Sequence, residues 1–159
     1  MNIKSTLLGI AVLAVLAAGA WWARAPSPTA PAALAQASGS DDLPDVTLAA
    51  ATADTGGVRI TLSLTPNPPV AFATFRTRVR AESAGSVVSL EGARVSFEMT
   101  MPMGDHRYSL VPGDDGWQEA EAILPRCMSG NRRWYTTVEG IVAGRPRTAR
   151  FRLDLASSE

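Results

Sequence analysis

The soft donor groups of this sequence are gathered into one stretch. Between Met99 and Trp134 lie four of the five methionines, the only histidine, the only cysteine and two of the four tryptophans. Thioether, thiolate and imidazole are the donors that Cu(I) selects. Met101, Met103, His106, Cys127 and Met128 therefore form a candidate metal set, with copper as the ion, provided the fold brings the two segments to one end of the domain. Packing competes with this assignment. Met99 and Met101 continue the inward face set by Val95 and Phe97, where a thioether serves as core filler, so Met101 ranks below the others. Pro102 and Gly104 break the strand and turn Met103 outward, and His106 follows in the same loop.

Cys127 has three possible fates. A lone cysteine in an oxidising compartment has no internal disulfide partner. It is buried and inert, ligates a metal, or pairs with another chain. Ser129-Gly130-Asn131 beside it reads as a turn. The sequence names no catalytic residue. His106 and Asp105 have no spacing diagnostic of a hydrolase, and Ser129 in CMSGN is not a nucleophile elbow. Asp114 and Asp115 sit in Pro-Gly-Asp-Asp-Gly, an efficient hairpin turn. A thiol enzyme using Cys127 and His106 is the remaining catalytic reading, without a motif behind it.

The elements that must position these groups follow a period of two. Val58, Ile60, Leu62 and Leu64 alternate with polar residues, as in a half-buried strand, until Thr65-Pro66-Asn67-Pro68-Pro69 ends the run. Phe75, Thr77 and Val79 face one way and Arg76, Arg78 and Arg80 the other. Val95 and Phe97 open the next inward set. Ala120, Ala122 and Leu124 come next, then Trp134, Thr136 and Val138, then Ala149, Phe151, Leu153 and Leu155 opposite Arg150 and Arg152. No helical stripe interrupts them. The pattern predicts an all-β fold, an immunoglobulin-like antiparallel β-sandwich of about seven strands, preceded by an N-terminal hydrophobic helix. It lacks the immunoglobulin disulfide. If the strands of Arg76–Arg80 and Arg150–Arg152 were neighbours, they would make a basic patch; otherwise the arginines are a solvated face with partners such as Glu82 or Glu98.

Ahead of the strands, residues 6–23 are an uncharged run of 18 with Lys4 before it and Arg24 after it. That is the short end for a membrane span and long for a signal h-region. Trp21 and Trp22 at its end suit the membrane–water interface, which favours an anchor over a cleaved signal peptide. Residues 1–24 are thus read as signal anchor or signal peptide, 25–43 as a Pro/Ala-rich linker that holds the domain off the bilayer, and 44–159 as the β-sandwich domain. The expected location is the inner membrane, single-pass, with the domain in the periplasm; cleavage would leave a soluble periplasmic protein. Formal charge balances, with 15 basic and 15 acidic residues. Bulk charge gives no reason to expect nucleic-acid binding.

These features, in order, resemble the YtkA-like domain, a small immunoglobulin-like module of bacterial membrane-anchored or secreted proteins related in outline to the FixH-type proteins of copper oxidase assembly. The matching residues are Leu64 to Pro69, Phe75 to Val79, Gly92 to Val95, Met101 to His106, Pro112-Gly113 with Trp117, Leu124-Pro125, Ser129-Gly130 and Trp134. The likeness covers about residues 60–142 and is most specific at Met-Pro-Met-Gly. Two departures stand out: Asp105 separates the glycine from the histidine, and Cys127 falls where the family carries a leucine–proline–methionine–x–glycine run, adding a soft ligand. The resemblance implies a non-enzymatic envelope module with an envelope protein partner, in some cases close to metal handling.

Overall fold

The computed structural model describes residues 42–156. By its internal contacts the chain divides into two units, Met1–Ser38 and Gly39–Glu159, and all described residues belong to the second. The expected N-terminal helix lies outside the described residues. Among the described residues no helix is long and apolar enough to cross a membrane.

Ten strands form two antiparallel sheets: β1 (Ala51–Thr55), β2 (Val58–Thr65), β3 (Phe75–Ser83), β4 (Ser86–Val88), β5 (Glu91–Glu98), β6 (Arg107–Ser109), β7 (Val111–Pro112), β8 (Gln118–Ala122), β9 (Arg133–Val142) and β10 (Arg145–Asp154). One sheet has the order β1-β2-β3-β8-β7, with β4 paired to β3; the other runs β10-β9-β5-β6. The count is ten, where the pattern predicted about seven. The strands that were missed, β1, β4, β6 and β7, are short, or too small and polar in their side chains to show an apolar alternation. The Pro112-to-Gly116 stretch does turn, through a 3-10 segment at Asp114–Gly116 closed by Gly113 N donating to the Trp117 carbonyl at 2.8 Å.

Alternation explains which face is buried. Val58, Ile60, Leu62 and Leu64 of β2 are all buried, as are Phe75, Val79 and Ala81 of β3, and Ala93, Val95 and Phe97 of β5. Both sheets contribute to one core, and Phe75 meets Phe97 across it edge to face with centroids 5.6 Å apart. Such a pair contributes about 0.5–1.5 kcal/mol beyond its buried area. Three two-residue hairpins, at Gly56–Gly57, Ala84–Gly85 and Ala143–Gly144, have positive φ at both central residues, the geometry that matches strand twist.

The strand registers sort the connections into two ends. The tight turns lie at one end. At the other lie three longer loops, 66–74, 99–106 and 123–132. Backbone hydrogen bonds join the 66–74 and 123–132 loops to each other, from Phe72 N to the Leu124 carbonyl, and to the chain just past β10, from Ala156 N to the Pro69 carbonyl and Leu155 N to the Arg132 carbonyl. The chain also enters here, since Arg152 N donates to the Pro44 carbonyl at 2.9 Å and Asp45 bridges Arg152 in parallel. Asp45 and Arg152 form an ion pair at this entry.

The arginine strands are not neighbours: β3 and β10 belong to different sheets. Arg78 pairs with Glu119 at 2.8 Å and Arg76 approaches the same carboxylate at 3.8 Å, while Arg80 pairs with Glu82 at 3.2 Å. Arg78 also lies over the Trp117 ring at 4.8 Å. The face is neutralised along the strands, and the basic patch does not form.

Candidate functional site

Two of the three loops at the entry end carry the soft donors. β5 stops at Glu98, so the backbone has left the ladder before Met101. Met99 remains half-buried against the core, but Met101 is 41% exposed. The expectation that Met101 fills the core is therefore overturned: without a ladder partner to fix the alternation, the chain turns it outward. Met103 corrects the sequence expectation too: Pro102 and Gly104 do not turn it outward, and its side chain is half-buried against the core. On the facing loop, Leu124 is buried and Cys127 is 2% exposed, whereas Met128 next to it is fully in solvent.

Cys127 is the centre of the site. Gly130 N donates to its carbonyl at 3.1 Å and closes a turn that folds Ser129 back onto the thiol. The Cys127 Sγ is 3.0 Å from Ser129 Oγ and directs its hydrogen at Met101 Sδ, 3.2 Å away. Asn131 N in turn approaches Ser129 Oγ at 3.4 Å. The Ser129 hydroxyl, and then the Ser129 and Asn131 backbone N–H groups, favour negative charge on sulphur and outweigh burial, so the Cys127 thiol is held below its ordinary value. An acidified thiol touching a thioether is a pair of soft donors in contact. Cys127 is unbonded to any other cysteine.

His106 stands in a second cluster. Its Nε2 is 3.0 Å from the Met103 carbonyl oxygen and donates to it, since a carbonyl only accepts. The imidazole meets the Trp134 ring edge to face, centroids 5.4 Å apart. Trp134 is fully buried, and among the described residues its indole N–H has no hydrogen-bond partner. The structure thus joins Met101 to Cys127 and Met103 to His106, and it leaves Met128 pointing into water. No hydrogen bond links the two clusters among the described residues. Nor, among the described residues, do three His, Cys, Asp or Glu side chains gather in one metal-holding group.

Open space adjoins Met101. A groove of about 300 Å³ runs along Phe97 to Gly104. Another, of about 370 Å³, lies between Thr100 and the Gly130–Arg133 segment, with Arg133 held to Asp154 at 3.2 Å. Met101 lines the first groove, so an ion could reach its thioether from solvent. Two sulphurs each about 2.3 Å from one ion stand about 4.0 Å apart in a trigonal arrangement, so the pair would open by under about 1 Å.

Ser129 as the thiol's partner was missed in the sequence, although its position two residues past the cysteine in a turn is a readable signal. Tyr108 was missed as well: its hydroxyl donates to the Ile123 carbonyl at 2.8 Å and accepts from Ile123 N at 3.2 Å, bridging the two sheets beside the site. Comparison with protein-family models, curated proteins and solved structures finds no match to this chain.

Proposed function

We propose that this chain is a non-enzymatic, membrane-tethered module of the cell envelope that serves metal handling, and that it takes Cu(I) on the Cys127–Met101 sulphur pair. The observation that carries the reading is the contact itself. Two loops, one within the four-stranded sheet and one crossing into it from the other sheet, present a thiol and a thioether 3.2 Å apart, with the thiol acidified by Ser129 and the thioether open to solvent. Soft monovalent metals prefer that donor set. Met103 and His106, on the same loop as Met101, are the candidates for a third soft or imidazole donor. The uncharged N-terminal run supports tethering, and the resemblance of residues 60–142 to the YtkA-like domain supports an immunoglobulin-like module in the envelope.

The test is a titration of the full chain with Cu(I) under reducing, anaerobic conditions, competed against a coloured Cu(I) chelator. One copper held tightly, and lost in Cys127→Ser, supports the reading. Failure to compete, with Cys127→Ser still folded, removes copper. The sandwich would then act on an envelope complex through its surface alone, in keeping with three loops and the chain entry sharing one end.

A further inference from the structure

Phe72 combines two features that folding alone does not favour. Its φ is +63°, a left-handed conformation that a bulky L-residue rarely adopts, and its ring is 70% exposed. The conformation is fixed from both sides. Phe72 N donates to the Leu124 carbonyl at 2.9 Å, and Ala73 N donates to the Val70 carbonyl at 3.3 Å. Beside it Val70 is 38% exposed and Ile123, next to Leu124, is 48% exposed. Strain of this kind persists where the surroundings over-determine it, and it gathers at contact sites.

The position of this apolar lip in the fold says what it meets. It lies at the end where the chain enters the domain: Ala156, four residues past Arg152, donates to Pro69, and Arg152 donates to Pro44. On the tethered reading, the chain that reaches the membrane leaves the domain at this end, beside the lip. Charge at this end is mixed, with exposed Glu98, Asp105, Arg107 and Arg126, which favours apolar insertion over attraction to anionic lipid.

We propose that the 66–74 loop is a lipid-docking surface, in which Phe72 and Val70 enter the headgroup–acyl boundary of the membrane to which the chain is tethered. This rests on the tethered reading above. Docking of this kind needs little intrinsic affinity, because the tether supplies a high effective concentration of bilayer, and an aromatic ring suits that depth. It would set the Met101–Cys127 pair, at the same end of the domain, facing the membrane.

The full chain in phosphatidylcholine vesicles doped with a phosphatidylcholine carrying a diazirine in its acyl chain tests this directly. After illumination, the expected lipid adducts fall on residues 70–73 as well as within residues 6–23, and the loop adducts disappear in Phe72→Asn, a residue that accepts positive φ. Adducts confined to residues 6–23 overturn docking while leaving the tether intact. No adducts anywhere overturn both. Adducts equally frequent at the far hairpin, Ala143–Gly144, also overturn it, as unspecific collision. In detergent, protection of the loop that rises with protein concentration would assign the lip to a second copy instead.

Discussion

The Sγ of Cys127 and the Sδ of Met101, 26 residues apart along the chain, are 3.2 Å apart in the folded domain. If this pair is the copper site, substitutions sort by contact and not by residue type. Cys127→Ser abolishes binding, and Met101→Leu, which keeps the volume, weakens it by more than about tenfold, a loss of about 1.4 kcal/mol. Met128→Leu leaves it unchanged, because that side chain is in solvent. Chelator competition on the three variants checks this. Equal losses at Met101 and Met128 would point to scattered thioether binding.

Ser129 acts on the thiol. Its hydroxyl 3.0 Å from Cys127 Sγ is the leading cause of the lowered thiol pKa, so Ser129→Ala moves that pKa upward. A depressed acid contributes stability that is present above the unfolded pKa and is lost as pH falls through the folded one; without Ser129 that contribution shrinks. The readout is the pH at which iodoacetamide alkylation reaches half its maximal rate. It shifts to higher pH in Ser129→Ala, and an unshifted profile would remove Ser129 from the account.

How far was this site legible before the structure? Val58 to Leu64, Phe75 to Val79 and Ala149 to Leu155 alternate cleanly because one face of each is sealed against the opposite sheet. They were read as strands with the right faces. β6 and β7 were not, since Arg107–Ser109 and Val111–Pro112 are too short for a period to register and owe their place to neighbours distant in sequence. Met101 was misjudged for a related reason: alternation predicts burial only while a ladder holds, and β5 ends at Glu98. That Met101 would meet Cys127 depends on how two sheets stack, which no local pattern contains.

Asp45 gives the fold a dependence on acid. Partial burial disfavours its charge, but hydrogen bonds from Thr47 and Arg152 outweigh this and hold its carboxyl at about 2, down from 3.8. The folded value is depressed, so the stabilisation is fully present above about 3.8 and drains away as pH falls through about 2. The side chain is 39% exposed, so solvent screening limits the effect to about 1 kcal/mol or less. Urea unfolding of the wild type and Asp45→Asn should differ at pH 6 and converge near pH 2. A constant difference would mean that the loss comes from packing and not from charge.

Tyr108 closes the sandwich beside the site by serving as both donor and acceptor to the backbone of Ile123. Tyr108→Phe removes both bonds while keeping the ring that packs edge to face on Phe97 at 6.1 Å. Water can replace the hydroxyl at this exposed position, so the expected cost is about 1 kcal/mol, near the low end for two hydrogen bonds. Equilibrium denaturation measures it. A cost above about 3 kcal/mol would show that the hydroxyl orders the 123–132 loop as a whole, and Cu(I) affinity should then fall with it.

Gly140 marks a close approach to the buried core. It lies in β9, and a Cβ built there would run into the buried side chain of Leu90, 2.8 Å from its Cδ1. Leu90 is 1% exposed, so Gly140→Ala overpacks this corner and costs about 1–3 kcal/mol. Leu90→Ala alone leaves a cavity, at about 2–5 kcal/mol. Placed together, the added methyl fills part of the space the leucine vacated, and the double variant should be more stable than the sum of the two losses implies. Strict additivity in thermal unfolding would mean that the two positions do not touch. Cu(I) affinity should stay constant throughout, because Ile141, the neighbour of Gly140, pairs with Glu91 and Pro146 at the end of the sandwich away from the sulphur pair.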